Sequence, residues 1–191
     1  MLGGLRIFGI IFFFFVLLLI VCVAAGLAQT ALDLQGKSVD PFADAGKPLV
    51  LVFLRTDCPI SNRYAPTIQL LSSRYSGHAE FWLVYPDKSE PSAKIETHLH
   101  DYGYKISALR DPQHVLVKRA RVEVTPEAAV FDSTGQLTYH GRIDNWYQDF
   151  GRPRKAPTTH ELEDAIKSAL SGKALVTTAT NAIGCYISDL Q

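Results

Sequence analysis

The chain has 191 residues, 47% of them hydrophobic, with 19 basic and 19 acidic side chains and three cysteines. This charge balance argues against a nucleic-acid partner, which calls for a clustered basic surface. There is no Gly-rich phosphate loop and no internal repeat, so no motif asks for a nucleotide or any other cofactor. The two cysteines beyond residue 28 can make one bridge but not a disulfide scaffold.

Residues Ile7 to Leu27 carry no charge, and Ile10 to Val23 is almost wholly Phe, Leu, Ile and Val. At about 1.5 Å per residue such a run spans the roughly 30 Å hydrocarbon core, and it exceeds the ~7–15 apolar residues of a cleaved signal. Residues 1–28 therefore read as an N-terminal transmembrane helix that anchors the chain in a membrane. Gly26-Leu27-Ala28 leaves a cleavable signal peptide, and a secreted product, as the alternative. Arg6 is the only charge before the span and marks its cytoplasmic end. Both readings place residues 29–191 in an extracytoplasmic (periplasmic) compartment, where disulfides persist. Cys22, inside the span, reads as structural. With Arg6 set aside, the exported part holds 18 basic and 19 acidic residues.

Residues 29–47 form a polar lead-in with Gly36, Pro41 and Gly46, a short hairpin or loop. Pro48–Leu54 is apolar without alternation, as in a strand buried on both faces. From Ile60 the apolar positions Ile60, Tyr64, Ile68, Leu71 and Tyr75 recur at helical spacing, and Pro66 should kink that helix. Ala79–Tyr85 is a second apolar strand. Pro91–Tyr104 reads as a helix with Ile95, Leu99 and Tyr102 inward, and Asp111-Pro112 opens a short helix over Val115–Ala120. Ala128–Asp132 and Leu137–Tyr139 make a hairpin across Ser133-Thr134-Gly135. Thr158-Thr159-His160-Glu161 has the spacing of a capping box for a last helix. Its inward face is Leu162, Ala165, Ile166, Ala169 and Leu170, and Gly172 ends it. The tail from Lys173 to Gln191 reads as mostly irregular. This order predicts one α/β domain over 29–191, with a central mixed sheet flanked by helices.

Cys58 stands where the first strand hands over to the first helix. Open helix N–H groups and the positive end of the macrodipole favour a thiolate there, the nucleophilic form of cysteine.

Cys58, with Pro66 eight residues later, resembles the reactive cysteine and kinking proline of the thioredoxin superfamily. Val124-Thr125-Pro126-Glu127, leading into Ala128–Gly135, resembles its cis-proline and following hairpin. The likeness covers about residues 45–142. Thr56-Asp57-Cys58-Pro59-Ile60-Ser61-Asn62, with Gly184-Cys185 near the C-terminus, is more closely similar to redoxin-domain proteins of the peroxiredoxin-like (AhpC/TSA) type. The chain departs from its better-known relatives at named positions. Ser61 replaces the second cysteine of thioredoxin. Arg55 and Leu51 replace the hydroxyl residue and proline that precede a peroxidatic cysteine, and Leu54 stands where copper chaperones carry a cysteine.

The resemblance implies a membrane-anchored thiol oxidoreductase with an antioxidant or disulfide-exchange role. Its catalytic residues would be Cys58 as attacking thiolate, Cys185 as resolving thiol, and Thr125 with cis-Pro126 presenting backbone groups to the substrate. That substrate would be a hydroperoxide or a protein disulfide, reduced at the expense of an exported thiol donor. A structural Cys58–Cys185 disulfide pinning the tail is the alternative for the same pair. A reading from another class makes the domain a metal-handling or interaction module, with Cys58, His114 and Cys185 binding copper or zinc. Arg142 is a candidate to stabilise the thiolate, or else a solvated charge. His98, His100, His78, His140 and His160 read as isolated.

Overall fold

The computed structural model describes residues 30–43, 46–188 and 190. The proposed span over residues 1–28 lies outside them, and no described helix is long and apolar enough to cross a membrane.

The sheet grows from its most apolar strand, β3 (Leu49–Phe53), in which every residue is buried. Alternate side chains feed two cores: Val50 and Val52 face one, while Leu49, Leu51 and Phe53 face the other. Burying each such side chain contributes about 1.5–3 kcal/mol, which is why this unalternating run takes the middle of the sheet. β4 (Glu80–Tyr85) lies parallel to β3, and β5 (Ser107–Arg110) parallel to β4. The lead-in does form a hairpin, β1 (Ala31–Leu32) and β2 (Ser38–Val39), which extends the sheet past β5. Beyond a short strand β6 (Val124–Thr125), β7 (Glu127–Phe131) runs antiparallel to β3 and β8 (Leu137–Gly141) antiparallel to β7. The seven-stranded order is β2-β1-β5-β4-β3-β7-β8.

The first helix is two helices. α1 (Pro59–Arg63) stops at Tyr64, and α2 (Ala65–Arg74) restarts with Pro66 in its first turn, where a missing N–H costs nothing. The expected kink is thus a full break. The Tyr64 hydroxyl pins it by donating to the buried Asp144 carboxylate at 2.6 Å. α3 (Ser92–Asp101) packs through Ile95 on the same core as α1 and α2, and α4 (Val115–Ala120) covers the opposite face through Leu116, Val117 and Ala120. α5 (Glu161–Ser171) returns to the first face with Leu162, Ala165 and Ile166, and Gly172 closes it in the left-handed conformation.

Several expectations change. β5 was not anticipated, because only Ala108 and Leu109 of its four residues are apolar and its pairing with β4 is long-range. Tyr102 is exposed, and His98 takes the inward position in its place. Leu170 is exposed to the same degree. The capping box does not form. His160 is the N-cap, and Glu161 instead receives the Arg142 guanidinium and the Thr159 hydroxyl.

The tail is mostly irregular, as expected, yet it is tied to the sheet at a few points. Past α5 it runs along β8, where the His140 amide donates to Thr178 O (3.1 Å) and the Thr180 amide to His140 O (3.2 Å). The Thr180 side-chain oxygen accepts the Arg142 amide (3.1 Å) and lies 2.7 Å from the Tyr139 hydroxyl. The tail then forms β11 (Cys185–Tyr186), antiparallel to β6 with Cys185 opposite Thr125, and buries Ile187 in the second core.

Candidate active site

Cys58 caps the N-terminus of α1 in an extended backbone conformation and is fully buried. Its thiol donates to the Thr125 carbonyl at 3.1 Å, and the Thr125–Pro126 peptide that follows is cis. Strand β11 delivers the second thiol. The Cys185 Sγ lies 2.8 Å from the Cys58 Sγ, both cysteines are free, and the Thr125 hydroxyl lies 3.4 Å from the Cys185 carbonyl oxygen. A disulfide needs about 2.05 Å, so the pair is unbonded yet within bond-forming approach. The structure thus gathers Cys58, Thr125, Pro126 and Cys185 at one place.

The two thiols are electrostatically unlike. Burial opposes ionisation of Cys58, but the Cys185 thiol, the Ser61 amide and hydroxyl, and the Cys185 amide outweigh it and hold Cys58 below its ordinary value. Cys185 is pushed up to about 12 by burial, by its hydrogen bond to Cys58 and by the charge Cys58 acquires. Cys58 is therefore the sulfur that ionises first, and Cys185 stands beside it with its proton. The helix terminus contributes through one group, the Ser61 amide in the open first turn of α1. Ser61 itself, read from sequence only as a missing cysteine, is buried, and its hydroxyl has no other hydrogen-bond partner among the described residues. Its spacing from Cys58 was the available signal.

The Arg55–Cys58 loop hangs on residues distant in sequence. Glu90, buried beside α3, accepts the Thr56 amide (2.9 Å) and the Thr56 hydroxyl. Asn62 donates to the Thr56 carbonyl and accepts from His98 Nε2 at 2.8 Å, while His98 Nδ1 faces the Tyr85 hydroxyl at 2.9 Å. Burial holds this imidazole below its ordinary value, so it serves as a neutral strut. Arg55 turns away to Asp57 and Asp87. A second buried carboxylate, Glu127, accepts the Glu123 (2.9 Å) and Val124 (3.2 Å) amides and faces His140 at 3.6 Å, which removes His140 from the isolated histidines. None of these polar anchors was legible beforehand.

Two candidates are not brought to the site. His114 points its Nε2 at the Pro86 carbonyl (3.0 Å), and among the described residues no three His, Cys, Asp or Glu side chains converge as a metal group. The Cys58–His114–Cys185 metal centre is therefore not assembled. Arg142 is neither free in solvent nor aimed at sulfur: it pairs with Glu161.

A buried mixed sheet, a cysteine at the strand-to-helix junction and a cis-proline facing it define a thioredoxin-like fold. Solved structures share it. A hypothetical protein of Sinorhizobium meliloti 1021 is 23% identical over 83% of this chain and 88% of its own, with a TM-score of 0.69. An uncharacterised conserved protein of Geobacillus kaustophilus is 20% identical over 83% and 86%, also at 0.69. A secreted Mycobacterium tuberculosis disulfide oxidoreductase homologous to E. coli DsbE is 20% identical over 75% and 94%, at 0.52. No family model and no curated protein matches the sequence.

Proposed function

We propose that the chain is a thiol–disulfide oxidoreductase whose redox pair is Cys58 and Cys185. The observation that carries this reading is the 2.8 Å approach of the two sulfurs beside the Thr125–Pro126 peptide. In the reduced chain the Cys58 thiolate attacks one sulfur of a substrate disulfide. The substrate S–S bond breaks, one thiolate leaves with the electron pair and takes up a proton, and a mixed disulfide remains on Cys58. Cys185, deprotonated, then attacks the Cys58 sulfur, giving the Cys58–Cys185 disulfide and releasing the second substrate thiol. Mixed-disulfide formation also discharges Cys58, which removes one cause of the high Cys185 value at the step where Cys185 must ionise. An exported thiol donor returns the two electrons.

Protein disulfides fit this site better than hydroperoxides. Arg55 occupies the position of the peroxide-orienting hydroxyl and is tied to Asp57 and Asp87, and the Thr56 hydroxyl is bound to Glu90. Disulfide exchange is also the chemistry named for the M. tuberculosis protein of like fold, and that protein is secreted. Residues 1–28 would hold the domain at the outer face of a membrane. The test is trapping by the full chain in mild detergent. Cys185→Ser should accumulate a reducible adduct on Cys58 with a disulfide-bearing protein, and Cys58→Ser should form none. A Cys58 that forms no adduct and resists alkylation in the reduced chain overturns the reading.

A further inference from the structure

At α1, whose first residue Pro59 follows Cys58, lies a groove of about 280 Å³ between that helix and a hairpin made of β9 (Tyr147–Asp149) and β10 (Arg152–Pro153). Pro59, Ile60 and Arg63 form one wall, and Tyr147, Phe150 and Pro153 the other. The groove begins at the residue next to Cys58. We propose that it docks the substrate segment that carries the disulfide, and that this segment is acidic and bears a large apolar side chain. This rests on the exchange reading above and names its substrate class.

The hairpin has a fixed base. The Arg154 amide donates to the Trp146 carbonyl (2.6 Å), the Trp146 indole donates back to the Arg154 carbonyl (3.0 Å), and the Arg154 Nε donates to the Asn145 carbonyl (2.9 Å). Asn145 in turn accepts the Thr158 and Thr159 amides, and Trp146 and Tyr147 pack against the Tyr64 ring. On this base the Phe150 ring is 58% exposed. It packs into neither core, so fold stability does not explain an aromatic residue at the tip.

Charge supplies the second argument. The chain as a whole is balanced, yet residues 145–157 hold Arg152, Arg154 and Lys155 against the single carboxylate of Asp149. Arg63 adds a fourth cation from α1. Arg63, Arg152 and Lys155 are exposed and make no ion pair among the described residues. A segment with carboxylates flanking an apolar residue matches this rim and fills the floor.

The experiment uses the reduced full chain in mild detergent and three disulfide-linked peptides of equal length. One carries Asp, Glu and Phe around the cysteine, one replaces the acids by Lys, and one replaces Phe by Ser. Thiol release from the acidic, Phe-bearing peptide should be about tenfold faster than from either control, the size expected of two or three exposed charge pairs plus one apolar contact. Phe150→Ser and the double variant Arg63→Glu, Arg152→Glu, all exposed positions, should remove the preference. Both should react with uncharged hydroxyethyl disulfide at the unchanged rate. Equal rates for the three peptides overturn the docking proposal while leaving exchange intact. If no disulfide reacts, exchange fails, and binding of the acidic peptide with its cysteine changed to serine decides the docking. Anisotropy showing about tenfold tighter binding than the Lys peptide supports it, and equal binding overturns it.

Discussion

Gly184 lies so close to Thr125 that a Cβ at position 184 would overlap the Thr125 carbonyl oxygen and stand 2.6 Å from its carbon. The glycine is what lets β11 settle on β6 and bring Cys185 to Cys58. Gly184→Ala should therefore lift β11, withdrawing Ile187 from the second core and leaving the rest of both cores in place. The expected result is a Cys58 that is alkylated at least about tenfold faster by iodoacetamide, with stability lowered by no more than the about 1.5–3 kcal/mol of one buried apolar side chain, because the site opens through local rather than global unfolding. An unchanged rate would mean that the strand is not what covers the thiol.

The unlike thiols fix a pH dependence. Cys58 lies below the ordinary thiol value of 9.0, so it adds stability above that value and loses it as pH falls through its depressed one. Cys185 lies above, so its contribution is present below 9.0 and is lost as pH rises toward about 12. Denaturant titrations of the reduced chain should show a thiol-linked rise toward pH 9 and a fall beyond it. Cys185→Ala and Ser61→Ala should each move the 240 nm thiolate titration of Cys58 upward, since burial is then less opposed.

Glu127 holds the segment that receives the tail. Glu127→Ala strips the acceptor from the half-buried Glu123 amide and the buried Val124 amide and should cost about 2–6 kcal/mol in chemical denaturation, since each donor left unpaired costs about 1–3 kcal/mol. It should also quicken Cys58 alkylation, because β6 is the strand that β11 pairs with. Loss of stability with no change in thiol reactivity would separate the two roles.

Tyr64 supplies the control. Tyr64→Phe removes the 2.6 Å bond to Asp144 at the break between α1 and α2, leaving Asp144 with the Trp146 amide. The expected cost is about 1–3 kcal/mol in stability with Cys58 alkylation unchanged. Faster alkylation here would show that the break itself controls access.

Elements that declare themselves by local pattern were readable in advance: the unalternating run that became β3, the apolar stripe through Ile60, Ile68 and Leu71, and the turn at Gly135. Cys58, Pro66 and Thr125-Pro126 were legible because their order and spacing resemble a known scaffold. What escaped was decided by partners far away in the chain. Ser107–Arg110 is a strand only because β4 lies beside it, and the tail is ordered only because β6 and β8 offer open edges to it. Glu90, His98 and Glu127 look like surface residues one at a time. Each is held in the interior by a group from elsewhere in the chain: the Thr56 amide and hydroxyl for Glu90, the Asn62 side-chain amide for His98, and the Glu123 and Val124 amides for Glu127. Thr180 belongs with them, since its hydroxyl serves Tyr139 and Arg142 across about forty residues of chain.

The register that sets Cys185 opposite Thr125 has a kinetic meaning. A thiol fixed by a strand pairing acts on its neighbour at an effective concentration far above that of any thiol free in solution. In the proposed exchange, a partner joined to Cys58 would then be expelled sooner than bulk thiols could release it, and its residence time would be set by this chain's own last strand and not by the redox buffer around it.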